Sequence, residues 1–231
     1  MKGKIIVIEG VDGSGKETQA NLLLEKLQKR GFNVKKQSFP NYESLSSGPV
    51  KMYLNGDLGT DANLIDPYAT SLLFTADRIC TMQQYKKFLQ SGGILILDRY
   101  MESNFIHQGS KLETEQEKTN FENILKTIEY KFAKIPKPDC IFFLDVPPAF
   151  SVGLRKKRTV NKNGEKTDIH EQNLHYLKNS YLHGLSVAKR NNWNIIHCIN
   201  QNQLQSIDEI NSKIITKLEE LSIIPSLDKQ Q

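Results

Sequence analysis

Apolar and polar positions along this chain switch between two periods, and the switches outline a repeating strand–helix pattern. Ile5, Ile6, Val7 and Ile8 form a continuous apolar run, as in a strand covered on both faces. Ala20, Leu23, Leu24 and Leu27 recur at the i, i+3, i+4, i+7 spacing of a helix face, and Gly31 supplies its stop. Residues 33–39 predict a second strand, closed by Pro40, and residues 46–55 a short helix. Asp66-Pro67 reads as an N-cap followed by proline at the first helical position. The helix it opens runs to about Gln90, with Leu72, Leu73, Phe74, Ala76 and Ile79 among its apolar residues, and Gly92-Gly93 breaks it. Residues 94–97 predict a third strand, and Phe121, Ile124, Leu125, Ile128 and Phe132 an amphipathic helix. Residues 140–144 predict a fourth strand, after Pro136 and Pro138, with Pro147 starting the next helix. Leu174, Leu177, Tyr181, Leu185 and Ala188 give another helix, residues 194–198 the last strand, and Ile207, Ile210, Ile214, Leu218 and Leu221 the terminal helix.

Alternating βα units imply α/β architecture: a parallel five-stranded sheet with helices on both faces, in three layers. All 231 residues are expected in one such unit, with a polar mobile segment at about 155–170 and a frayed tail at about 225–231. Ligands of such folds sit outside the carboxyl ends of the strands. Three charged or glycine-rich stretches fall there: residues 10–16, the segment after Phe39, and Asp98-Arg99.

Composition refines this only slightly. At 38% hydrophobic and 25% charged residues the chain carries enough apolar material for a sizeable core. A formal charge of +5 favours anionic ligands without demanding nucleic acid. Cys80, Cys140 and Cys198 are odd in number, widely spaced and set in apolar contexts, so buried reduced thiols are expected rather than disulfides or a metal site. No apolar run approaches the length of a membrane span, and no signal peptide precedes the first strand, so a cytoplasmic location is expected.

The chemistry concentrates in Gly10–Lys16, which fits G-x-x-x-x-G-K between a strand and a helix. Gly10, Gly13 and Gly15 allow backbone angles that residues with a Cβ resist. Successive N–H groups from Gly10, Val11, Asp12, Gly13, Ser14 and Gly15 can then meet a polyphosphate at a positive helix N-terminus. Lys16 would reach the β and γ phosphates. The next residue is Glu17, not the usual Mg²⁺-binding hydroxyl, and Thr18 comes one position late, so either Glu17 or another carboxylate handles the metal, or the metal sits differently. Asp98, at the end of an apolar strand, is a candidate for holding Mg²⁺. Phosphoryl transfer asks for alignment and cations more than for covalent help. Arg99, Arg78 and the cluster between Arg155 and Lys166 are the candidate cations, the cluster as a segment that closes over the donor phosphates. Phe74 lies one helical turn from Arg78, so both can face one ligand, the ring stacking on a base and the guanidinium meeting a polar edge or phosphate.

With these residues laid out, the chain resembles the thymidylate kinases, P-loop nucleoside monophosphate kinases that phosphorylate dTMP to dTDP with ATP. GVDGSGK resembles the family's G-x-D-x-x-G-K loop, FPNY (Phe39 to Tyr42) its F-P-x-Y variant, and LLFTADR (Leu72 to Arg78) its L-F-x-x-D-R segment. DRYMESN (Asp98 to Asn104) resembles D-R-Y-x-x-S-N, LDVPP the strand-to-helix turn before the lid, and Asp168 with Glu171 the lid's D-x-x-E. The resemblance implies that Asp12 approaches the acceptor phosphate and sugar and helps organise Mg²⁺, with Glu171 as a further metal residue. It implies that Phe74 stacks on thymine, Arg78 touches the base edge and Arg99 holds the acceptor phosphate. It further implies that Phe39 and Tyr42 lie near that phosphate and that Ser103, Asn104 and His107 line the base and sugar pocket. Position 13 is glycine rather than the arginine of one branch, so the catalytic cation is expected from the lid, with Arg158 first and Lys157 and Arg155 next. The implied small-molecule partners are ATP and dTMP, with Mg²⁺ as cofactor and a homodimer as the assembly. Glu17, His107 in place of an aromatic residue, and Ile169 in place of a lid arginine depart from the family pattern. Two other readings stay open: a deoxynucleoside kinase with Glu43 as base, and a nucleotide-dependent switch with little transfer activity.

Overall fold

A computed structural model describes residues 3–151 and 174–226. Five parallel strands form one sheet: β1 (Lys4–Glu9), β2 (Val34–Ser38), β3 (Ile94–Asp98), β4 (Cys140–Asp145) and β5 (Asn194–His197), in the order β2-β3-β1-β4-β5. β1 is central. Ile6 stands opposite Ile96 on one side and Cys140 on the other, so its backbone groups are paired along both edges.

The side-chain period of two splits β1 between two cores. Ile6 and Ile8 face the layer of α1 (Lys16–Lys29) and α8 (Ile207–Glu220), packing with Ala20, Leu23, Leu27, Ile214 and Leu218. Helix α7 is Leu174–Arg190. Ile5 and Val7 face the other layer with Leu95, Leu97, Tyr100, Phe105, Phe121, Phe143 and Val187. That layer contains α3 (Pro67–Gln83), α5 (Glu102–His107), α6 (Glu115–Lys126) and α7. Ile6, Val7 and Ile8 are wholly buried, each worth roughly 1.5–3 kcal/mol of transfer free energy. The remaining helices are α2 (Gly48–Leu54) and α4 (Lys86–Gln90). The expected start and stop signals hold. The Asp66 carboxylate accepts from Ala69 N–H ahead of Pro67, and Gly31, at φ 83°, ends α1 with Phe32 N–H bonded back to Leu27 O.

Four expectations change. The helix to Gln90 divides after Gln83, because tight i→i−3 bonds at Gln84 and Tyr85 turn the chain and Tyr85 Oη donates to Gln37 on β2. The apolar stripe ending at Phe132 is not one α-helix. After Lys126 the chain widens into π-helical turns over Thr127–Phe132, which carry Glu129 inward and leave Phe132 71% exposed. A two-stranded hairpin, β6 (Ile199–Asn200) and β7 (Gln203–Leu204), follows β5. It is absent from the sequence reading because its strands are too short to show a period. Cys80 is exposed, whereas Cys140 and Cys198 are buried, and all three thiols are free.

Glu129 is wholly buried and so is Arg78, 51 residues away. Arg78 Nε donates to Oε2 at 2.8 Å and Nη2 to Oε1 at 2.5 Å, and Thr75 Oγ1 adds a bond to Oε1 at 2.7 Å. Burial opposes the charge on Arg78, and the adjacent carboxylate outweighs it, so the guanidinium stays ionised. This fork ties α3 to the turns after α6. Glu129→Ala leaves a buried cation unpaired and is expected to destabilise the protein by about 3–5 kcal/mol. Urea unfolding checks this, and Arg78→Met in the Glu129→Ala background is expected to recover most of the loss.

Candidate active site

The loop between β1 and α1 lies at the carboxyl end of the sheet. Gly10 has φ 150°, and a Cβ there would come within 2.6 Å of Ser14 Oγ, so the closing of the loop requires glycine. Gly15 caps α1 in the left-handed region at φ 86°, with no side chain bonded to the helix's first N–H groups. Those donors, with the positive end of a 14-residue helix behind them, form a site for an anion. Ser14 Oγ is buried with no hydrogen-bond partner among the described residues. Lys16 is buried at the loop's centre, and its ammonium donates to Val11 O at 2.8 Å. Burial first, then the positive charge of Arg99, pulls its pKa down to about 8, against the opposing pull of Asp12, Asp98 and Glu9. Glu17 and Thr18 are on the exposed side of α1.

Arg99 follows β3 with φ 68°, a left-handed conformation rare outside glycine. Its N–H bonds to Ile8 O on β1 at 3.1 Å. The reversal brings the guanidinium back over β1, where Nη2 pairs with Asp12. Nη1 lies 3.0 Å from His107 Nε2 and 3.4 Å from Ser103 Oγ. Because an arginine N–H can only donate, His107 Nε2 is the acceptor, and the ring proton is on Nδ1. Burial works against the charge on Arg99, yet Asp12, Glu9 and Asp98 together raise its pKa. Tyr42, half exposed on the loop after β2, is near enough to add to that effect.

The structure brings Asp12, Lys16, Asp98, Arg99, Ser103 and His107 to one rim and places other expected residues differently. Phe39 is buried and its ring packs 5.8 Å from that of Tyr100, so it belongs to the core under the site. Phe74 is half-buried, edge-on to Tyr53 with centroids 6.1 Å apart. Arg78 does not share an open face with it, because Nε and Nη2 are taken by Glu129. Asn104 is buried with Nδ2 unpartnered among the described residues.

Two contributors escaped the sequence reading. Gln108 is buried one turn beyond Asn104, with Oε1 unpartnered and Nε2 bonded to Tyr53 Oη at 3.4 Å. Its i+4 spacing from Asn104 was the available signal. Asp77, also buried, accepts from Asn41 N–H at 2.8 Å and Ser46 Oγ at 2.6 Å, fixing the loop that carries Tyr42. Glu43, the alternative base, is exposed. Among the described residues no group of three or more His, Cys, Asp or Glu side chains is arranged for a metal. Asp12 and Asp98 remain as a carboxylate pair. That suits Mg²⁺, which takes one or two protein carboxylates and completes its shell with water and phosphate. Arg155, Lys157, Arg158, Lys166, Asp168, Ile169 and Glu171, with the expected lid, lie outside the described residues.

The profile of the thymidylate kinase family matches residues 8–214. The chain belongs to the thymidylate kinase family. It is 28% identical over 225 residues to the thymidylate kinase of Plasmodium falciparum, covering 97% of this chain and 93% of that one. It is 32% identical over 165 residues to a probable thymidylate kinase of Pyrococcus abyssi, covering 68% of this chain and 72% of that one. A solved thymidylate kinase from Candida albicans shares the fold, with a TM-score of 0.67 at 22% identity, covering 96% of this chain and 93% of that one. The family match therefore spans the phosphate loop, Phe74, Arg78, Arg99, the end of β1 and all of β2 to β5.

The depressed Lys16 pKa gives ATP binding a signed pH dependence. Below about pH 8 the ammonium is charged before and after binding, so affinity is flat. Phosphate raises the pKa of the bound ammonium, so above pH 8 binding takes up a proton and affinity is expected to fall, by up to about tenfold per pH unit. Calorimetric titration between pH 6.5 and 9.5 checks this, and Lys16→Met is expected to bind more weakly with no such slope.

Proposed function

We propose that this protein transfers the γ-phosphoryl group of ATP to dTMP, with ATP at the phosphate loop and dTMP beyond Arg99. The observation that carries the reading is the proximity of two cations of different origin. Arg99 after β3 is close enough to Lys16 on the donor loop to lower its pKa, and Asp12 pairs with Arg99 while pulling the pKa of Lys16 up. Such a rim suits two anionic nucleotides placed end to end.

The geometry supports the following division of roles. Backbone N–H groups at the start of α1 and the Lys16 ammonium hold the donor phosphates. Arg99 holds the acceptor phosphate, which replaces Asp12 on its guanidinium. Phe74 stacks on the thymine ring. Asn104 Nδ2 and Gln108 Oε1, a buried donor and a buried acceptor without partners among the described residues, match the carbonyl and N–H on the edge of that base. Arg78 supports this pocket through α3 and leaves Nη1 outside its pair with Glu129. Mg²⁺, when bound, would neutralise charge on the transferring phosphates, and Asp12 and Asp98 would hold it. Arg158 is the first candidate for the remaining cation, with Lys157 and Arg155 next; all three lie outside the described residues. Buried Cys140 and Cys198 thiols, both with pKa pushed up to about 12 by burial, suit a reducing cytoplasm. No helix among the described residues is long and apolar enough to cross a membrane. Exposed Met52, Leu58 and Leu72, on and beside α2 and α3, suit the homodimer expected of the family.

A deoxynucleoside kinase needs a base at the sugar hydroxyl, and the exposure of Glu43 argues against it in that role. A coupled assay with ATP and dTMP tests the proposal; ADP release no greater than with ATP alone overturns it. Arg99→Ala is expected to lower transfer by at least 10³-fold while ATP affinity stays within about twofold, read by calorimetry. Phe74→Ala is expected to raise the KM for dTMP by about tenfold with a smaller effect on kcat.

A further inference from the structure

Glu9, the last residue of β1, is wholly buried, and nothing above assigns it a role. A carboxylate at the end of a central strand is costly to bury unless it is tied down. Both oxygens of Glu9 are tied, and to one short stretch. Oε1 accepts the N–H of Tyr100 at 2.9 Å, and Oε2 accepts Ser103 Oγ–H at 2.7 Å. These two groups bracket the turn that starts with Arg99. The N–H of Tyr100 follows directly on the left-handed Arg99 backbone. Ser103 Oγ, having given its proton to Glu9, offers its lone pair to Arg99 Nη1 at 3.4 Å. Glu9 thus fixes the backbone of Arg99 from one side and orients a hydrogen bond to its side chain from the other. The chain of contacts runs carboxylate, hydroxyl, guanidinium. Burial raises the pKa of Glu9, and the charge of Arg99 is the largest opposing influence.

We infer that Glu9 is a positioning residue for the acceptor phosphate. It does not touch substrate; it sets the geometry of Arg99 and Ser103 and so decides whether Arg99 presents its free donors to dTMP once Asp12 is displaced. A ligand-independent fold role would predict only a stability change. The positioning role predicts a change in acceptor handling with donor handling spared. The inference rests on the assignment of Arg99 to the acceptor phosphate.

The test uses the full-length enzyme with four variants: Glu9→Gln, Glu9→Asp, Ser103→Ala and Arg99→Ala. Gln keeps an acceptor for Tyr100 N–H but turns an N–H toward Ser103, so the hydroxyl can no longer be oriented as before. Asp keeps the charge but is one methylene too short to span both partners. Both are expected to raise the KM for dTMP at least tenfold, and Glu9→Asp, which keeps the charge that acts on Lys16, is expected to leave ATP affinity within twofold of wild type. Glu9→Gln is expected not to lower Tm. The effect of Ser103→Ala is expected to be largely absent in the Glu9→Gln background, because the two groups act through one chain. Wild-type dTMP KM in Glu9→Asp or in a folded Glu9→Gln overturns the inference, as does full multiplicativity of Glu9→Gln with Ser103→Ala. Should Arg99→Ala leave dTMP handling intact, the assignment of Arg99 itself falls. Should Arg99→Ala impair it while the Glu9 variants do not, only the inference about Glu9 falls.

Discussion

Parallel pairing of β1 between β3 and β4 is the constraint on which the site depends. A strand covered on both faces and paired on both edges has only its ends free for polar chemistry. In-register pairing places Ile8 opposite Asp98 and Phe142, so the loop after β1 and the turn after β3 emerge side by side. Lys16 comes from one and Arg99 from the other. No long-range search is needed to bring them together, because the buried apolar run of β1 already does so. The two α/β layers then differ in duty. α1 and α8 cover one face and point the α1 N-terminus at the rim, while α3, α5, α6 and α7 cover the other and supply the pocket walls.

The molecule satisfies its own charges at and behind that rim. Arg99 rests on Asp12, Lys16 rests on a carbonyl of its own loop, and Arg78 is locked to Glu129. The first is a partly buried ion pair and the second a single bond to a neutral oxygen. The third is of another kind. It is fully enclosed and doubly bonded, and giving it up would strand a charge in the core. The distinction separates the cations at the rim from the cation that braces the wall behind them. Burial and pairing make that distinction, and charge alone does not.

Glu9 and Asp77 show the same division among the anions. Asp12 and Asp98 reach the rim, where a metal or a phosphate-bound cation can be met. Asp77 fixes the Tyr42 loop to α3, and Glu9 fixes the Arg99 turn to β1. Each oxygen of these two buried carboxylates accepts a hydrogen bond, and both carboxylates hold a backbone N–H at a bend in the chain.

The sequence by itself determined what local physics controls. The phosphate loop, its glycines, the flanking strand and helix, the Asp66 cap and the Gly31 stop were all legible, because each depends on residues within one turn or one strand of each other. The parallel sheet followed from alternation, and the resemblance to the family followed from short segments quoted in order. Tertiary structure decided the partners. Arg78 looked available because its helical spacing from Phe74 was right, and only the fold showed Glu129 closing on it from 51 residues away. The turns that deliver Glu129 were hidden too, since an apolar stripe at helical spacing does not reveal that the helix has widened. Phe39 reads as a site residue from its motif, and the fold buries its ring beside Tyr100, because the motif fixes the loop's course and not the direction of each side chain. Glu9 was part of a strand in the sequence; pairing of β1 with β3 made it the neighbour of Arg99. Contacts between distant segments depend on register and burial, which one-dimensional periodicity does not encode.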